Sequence, residues 1–328
     1  MTDQNWALPV AGALLASMVL GIMLGAYPIP AGQILAELTG RGTGGAASKV
    51  FWNIRLPRVL AAALVGAALA AAGAAYQSAF RNPLVSPDIL GVSSGAGLGA
   101  VLGIYLGFPV ALIQLSGFGM GLLTVGLVVM LSQAIRGSVM VMVLCGIALG
   151  ALAGAGISLV KLLADPDNQL PAITFWLMGS LAGVKGGDLT AAAPAILVGL
   201  VPLVALRWRI GLLSLGDDEA RSLGVNPVGL RVVVVAGATL MTSAAVAMAG
   251  VIGWVGLMVP HMMRMLTGPR FDRLLPVAIL GGAGFMVLVD SLARTAARQE
   301  IPLGILTATL GAPIFVLLLA RSAAQWRG

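Results

Sequence analysis

The chain has 328 residues, 59% of them hydrophobic and only 9% charged, with a mean hydropathy of +1.01. Soluble domains carry about 25% charged residues, so this composition excludes a water-soluble globular protein and points to an integral membrane protein. The formal charge of +7 comes without a basic block or basic–aromatic interleaving, which argues against nucleic acid as a partner and fits cationic loops at a lipid surface. Apolar runs near 20 residues without a ten-residue alternation indicate helices, not a barrel. The expected fold is an all-α polytopic membrane protein of about ten spans, several short or kinked.

Trp6–Ala26 reads as a retained first span, too long for a signal-peptide core. Tyr27-Pro28-Ile29-Pro30 ends it, and a polar connection runs to about Ser48, loosest at Thr39–Gly42. Arg55-Leu56-Pro57-Arg58 opens span 2, which reaches about Phe80 through an alanine-rich string suited to close helix packing. Arg81–Asp88 holds two prolines and cannot continue a helix. Span 3 is the glycine-rich Gly91–Leu106, span 4 is Val110–Ile135, and Arg136-Gly137-Ser138 turns the chain into span 5, Val139–Leu163. Leu170–Leu181 is too short to cross. Span 6 lies near Thr190–Leu206, span 7 at Val228–Gly250, span 8 at Gly253–Leu266, span 9 at Leu275–Ala297 and span 10 at Pro302–Ala320. All belong to one domain, residues 1–328. Ten spans would put both termini on one side, and the basic residues favour the cytoplasm for that side only weakly. Arg55, Arg58, Arg294 and Arg298 fall on the outer side and need a use of their own.

Between spans 6 and 7 lies the longest polar interruption, Arg207–Arg231. Only 12 residues of the chain are acidic, and Asp217, Asp218 and Glu219 stand together here. One Asp in hydrocarbon costs about 2.5–3.5 kcal/mol, so the cluster lies in water or against another protein. On a helix, Asp217 and Arg221 fall one turn apart, as do Asp218 and Ser222. No phosphate-binding loop exists, because Lys49, Lys161 and Lys185 are the only lysines and none follows a glycine. This polypeptide is not a conventional ATPase.

An ordered set of motifs resembles the permease subunits of ATP-binding cassette importers for iron–siderophore chelates, haem and cobalamin. It comprises Arg55-Leu56-Pro57-Arg58, Asn82-Pro83-Leu84 with Pro87-Asp88, Leu90–Gly97, Leu215-Gly216-Asp217 with Leu223-Gly224, Gly256–His261, Ile301–Gly304 and Gly311-Ala312-Pro313. The resemblance implies a homodimer with two cytoplasmic ATPase subunits, a periplasmic binding protein and both termini in the cytoplasm of a bacterial inner membrane. It calls for no cofactor. A cytoplasmic coupling segment near 207–228 would seat Leu215, Gly216, Asp217, Asp218, Glu219, Arg221, Leu223 and Gly224 on the ATPase. Arg55, Arg58 and Arg294, with Arg298 as competitor for the last place, would receive glutamates of the binding protein. Asn82, Leu84, Ser138 and Val139 would form the cytoplasmic gate.

Other residues carry simpler expectations. Cys145, the only cysteine, reads as a small buried hydrophobe. Ser93 and Ser94 could cap span 3. His261 lacks neighbouring ligands and is expected to bond a backbone carbonyl, with Met258, Met262, Met263 and Met265 as packing. Asp290, inside a late span, could relay protons, but Arg294 lies on the same face and should pair with it. The alternative function is therefore a proton-coupled secondary transporter using Asp290 and Asp88. A structural scaffold would explain neither the short spans nor the acidic cluster.

Overall fold

The computed structural model describes residues 6–25, 27, 29–42, 44–135 and 138–325, with side-chain surroundings through residue 318. The described residues hold helices and no strand. The first expected span is α1 (Ala7–Met23). The polar connection that follows contains α2 (Ala31–Leu38) and α3 (Ala46–Val50). Span 2 begins earlier than the Arg55 motif: α3 continues through a π-type turn, Phe51–Arg55, into α4 (Leu56–Ala79). Pro57 supplies the reason, since its ring and missing N–H disturb the preceding α-helical turn and a wider turn absorbs the misfit.

A 3-10 turn, Pro87–Leu90, leads to α5 (Val92–Tyr105), then α6 (Val110–Ala134) and α7 (Val139–Leu163). The Arg136-Gly137 part of the intervening turn lies outside the described residues. Next come α8 (Gln169–Met178), α9 (Gly186–Ala205), α10 (Arg207–Leu212), α11 (Asp217–Ser222) and α12 (Pro227–Ala249). The chain closes with α13 (Val255–Thr267), α14 (Phe271–Thr295) and α15 (Leu303–Gln325). Among the described residues six helices are long and apolar enough to cross a membrane, and α1, α5 and the described part of α15 are shorter apolar helices. At 1.5 Å per residue α5 and α13 measure only about 20 Å, short of a hydrocarbon core of about 30 Å.

The centre of the bundle is α4, packed against α12, α13 and α14. Small residues make this possible. A β-carbon on Gly66 would lie 2.1 Å from the Gly282 carbonyl oxygen, and one on Gly282 would lie 2.3 Å from that of Gly66. Backbones therefore touch across the α4–α14 crossing, the small-residue packing that membrane helices favour. The apolar windows of α4 and α12 are each 78% buried, whereas that of α7 is only 11% buried. The two central helices each lead to a short helix, α5 and α13, entered through Gly91 at φ 78° and Trp254 at φ 70°. That parallel fits an internal repeat of spans 2–3 in spans 7–8.

Hydrogen bonds fix the two ends. Arg294, near the end of α14, donates to the Gly21 and Leu24 carbonyls of α1, and Ile301 N donates to Ala293 O just before α15. The last turn of α1 and the first turn of α15 thus share one end with the start of α4. The opposite end carries the last turn of α4, α10, α11 and the start of α12.

Candidate functional site

At the α11 end the sequence Gly216-Asp217-Asp218-Glu219 starts a helix cleanly. Gly216 stands at φ 135°, a conformation closed to most other residues, and three acids in the first turn suit the positive end of the helix dipole. Ala220 is fully buried, while Leu215 and Leu223 are 57% and 54% exposed. This stretch therefore holds itself to the bundle by Ala220 and presents two leucines outward. Asp218 is almost wholly exposed and pairs with Arg221 at 2.9 Å, and Glu219 is exposed beside it. Gly224, at φ 79°, ends α11 and releases the chain toward Asn226, which caps α12.

Asp217 behaves differently from its neighbours. The expected partner was Arg221; the structure instead turns its carboxylate inward to Arg231 of α12, whose Nη1 and Nη2 each donate to one oxygen. The same guanidinium donates through Nε to Ala79 O at 3.1 Å, at the end of α4. The hydrogen bonds from Arg231 hold the Asp217 carboxyl below the ordinary carboxylate range against the opposing effect of partial burial. Nor does Ser222 reach Asp218, because its hydroxyl donates to Glu219 O within its own turn.

Next to this pair lies a cavity of about 390 Å³ whose lining includes Arg81, Ser138, Val139, Asp217 and Arg231. Two of the four expected gate residues, Ser138 and Val139, are thus brought to the coupling segment. Asn82 and Leu84 are exposed on the adjoining turn, where Asn82 Oδ1 accepts from Leu84 N at 2.9 Å. Arg81 has φ 52°, an uncommon conformation for a residue with a side chain.

At the other end, the arginines expected at an exposed rim point inward. Arg58 and Arg55 are each 5% exposed. Arg58 donates through Nε to Asp290 at 2.9 Å and through both Nη atoms to Glu300 at 2.9 and 2.8 Å. Arg294 pairs with Asp290 at 3.1 Å, as expected, and Arg55 donates to Tyr27 O at 3.0 Å. Arg298 is exposed. Glu300 keeps 39% of its side chain exposed. The two hydrogen bonds from Arg58 hold its carboxyl below the usual glutamate range.

Several smaller expectations change. Ser93 is not a helix cap; its hydroxyl donates to Asp88, and no side chain caps α5. His261 Nδ1 is buried without a hydrogen-bond partner, so the expected bond to a carbonyl is not made there, and the ring packs edge-on to Phe315. Cys145 is half-buried against the core, and Met265 is 54% exposed, whereas Met258 is fully buried. Among the described residues no three His, Cys, Asp or Glu side chains converge as metal ligands.

Sequence reasoning overlooked Arg231 and Glu300. A signal existed for each. A cation near the N-terminal end of α12, just past its first turn, asks for an acid partner, and Glu300 is one of only 12 acids and directly precedes the Ile301-Pro302 motif.

The FecCD transport family matches residues 13–321. The chain is 40% identical over 310 residues to the molybdate import system permease protein of Haemophilus influenzae, covering 93% of this chain and 92% of that one. It is 39% identical to the hemin transport system permease protein of Yersinia pestis, over 89% of each chain. The vitamin B12 import system permease protein of Vibrio cholerae is also 39% identical, over 84% of this chain and 83% of its own. A solved ABC transporter of the metal-chelate type, in an inward-facing conformation, superposes with a TM-score of 0.90 at 37% identity, covering 96% of this chain and 99% of that one. The chain belongs to the FecCD transport family and is a multi-pass permease subunit of an ATP-binding cassette importer.

Proposed function

We propose that this permease works as a homodimer in the bacterial inner membrane and moves a bulky iron chelate, siderophore or haem, or cobalamin into the cytoplasm. Two cytoplasmic ATPase subunits supply the energy and a periplasmic binding protein delivers the cargo. Both termini face the cytoplasm, as does the α11 end. The observation that carries this reading is the pair of short helices α10 and α11, which expose Asp218, Glu219, Leu215 and Leu223 in a chain otherwise poor in acids. Exposed leucines flanked by acids suit a groove on a protein, not bulk water. Relatives named for molybdate, hemin and vitamin B12 match at 40%, 39% and 39% identity, so overall likeness does not rank the cargoes. The bulky chelate is preferred because iron chelatin, hemin, cobalamin and vitamin B12 all figure in the names of its relatives beside molybdate.

Docking of the binding protein on Arg55, Arg58 and Arg294 remains part of the reading, with one condition added by the geometry. Arg58 already holds Glu300, so an incoming carboxylate must exchange with it. The gate is assigned to Asn82, Leu84, Ser138 and Val139, beside the cavity under α11. A proton relay is disfavoured because Asp290 sits between Arg58 and Arg294, and Asp88 is bound by Ser93. Reversing Asp218 and Glu219 to lysine tests the coupling reading. The permease should remain folded and lose its ATPase subunits on co-purification; retention of those subunits would overturn the assignment.

A further inference from the structure

We propose that Asp217 and Arg231 form a positioning link that carries movement of the coupling segment to the gate turn. The inference rests on the reading of α10–α11 as the ATPase-facing segment, and it gives Asp217 a role different from that of Asp218 and Glu219. Those two side chains face outward, whereas Asp217 is the first residue of α11 and is clasped from within by Arg231. All three kinds of guanidinium nitrogen are used: Nη1 and Nη2 hold Asp217, and Nε holds Ala79 O. A planar fork engaged at three points fixes direction as well as distance, which a lysine could not do.

The elements so joined explain why the link matters. Arg231 belongs to α12 and Ala79 to α4, the two most buried spans of the bundle. The chain leaves α4 through Phe80 and Arg81 directly into Asn82 and Leu84. A β-carbon on Gly216, the residue before Asp217, would lie 3.6 Å from Arg81 Nη1, so the gate turn also meets the coupling segment through the Arg81 side chain. Arg81, Asp217 and Arg231 then face Ser138 and Val139 across one cavity of about 390 Å³. A displacement of α11 therefore pulls on the end of α4 and on the turn that follows it, while the rest of α11 remains free to grip a partner.

The test uses the assembled complex of permease and ATPase subunits. A spin label at Leu84→Cys, in a Cys145→Ser background, reports the separation of the two gate turns with and without vanadate-trapped nucleotide. With Asp217 and Arg231 intact the separation should change between the two states. Arg231→Gln and the milder Asp217→Asn should keep the ATPase subunits and hydrolyse ATP but lose that change, and Asp217→Glu should restore it. A full change in Arg231→Gln would overturn the link. So would loss of the ATPase subunits from folded Asp217→Asn protein, because the pair would then belong to the docking surface itself. Failure of the unsubstituted chain to bind ATPase subunits at all would instead refute the underlying reading of α10–α11.

Discussion

Replacing Asp290 by Asn should destabilise the permease far more than replacing Glu300 by Gln, although both carboxylates bind the same guanidinium. Asp290 is fully buried between Arg58 and Arg294. Removing its charge leaves Arg58 and Arg294 with Glu300 as their neighbouring carboxylate. Breaking a buried pair from one side costs about 3–5 kcal/mol, and Asn, which keeps the shape and one acceptor, belongs near the lower end. Glu300 has 39% of its side chain exposed, so solvent screens its pair and the ordinary range of about 0.2–1 kcal/mol applies. Its two-point geometry favours the upper end of that range. The difference of about 2 kcal/mol corresponds to roughly a 30-fold change in the folded-to-unfolded ratio. Thermal unfolding of the purified permease in detergent, followed by tryptophan fluorescence, reads it directly. Equal losses, or a larger loss for Glu300→Gln, would refute the argument from burial.

Acid should weaken the Glu300 pair in a defined window. Its carboxyl is held below the ordinary value by Arg58, so its contribution is complete above the unfolded value of about 4.3 and disappears as pH falls through the lower folded one; the thermal transition of the parent should exceed that of Glu300→Gln by progressively less as acid is added until the two converge. If the docking reading holds, Glu300→Gln should also tighten binding of the periplasmic protein by freeing Arg58, measurable as a slower dissociation at low salt, while Arg55, Arg58 and Arg294 all changed to Glu should abolish binding and its salt dependence. Gly66→Ala should cost about 1–3 kcal/mol because its β-carbon meets backbone that cannot step aside; Gly154→Ala, where nothing lies within 4 Å, should be neutral or stabilising in the same unfolding assay.

A depressed carboxylate value means the unfolded chain takes up the proton first, so stability is lost on acidification and not on raising pH. In the parent the pair is an advantage above the window, and below it the advantage over Glu300→Gln vanishes.

Length, apolar runs and prolines made most helices legible, because each span must satisfy its own backbone in lipid. Val139–Leu163 agrees to the residue with α7. The misses arose where local patterns met tertiary demands. Pro57 looked like the start of a span because prolines favour first turns, yet here a π-type turn carries the helix through from Ala46. Arg55, Arg58 and Arg294 looked like rim residues because nothing in their spacing shows that Asp290 and Glu300, more than 230 positions from Arg58 in the chain, fold back onto it. The acidic cluster was legible as a unit, but its division into one inward and two outward carboxylates was not, since Arg231 reaches Asp217 from a different helix.

The energy source is the most direct test of the importer account. In proteoliposomes holding the permease, its ATPase subunits and the loaded binding protein, uptake of a radiolabelled ferric siderophore, haem or cobalamin should continue with an uncoupler present and stop when ATP is withheld. Uptake driven by a pH gradient without ATP would contradict it.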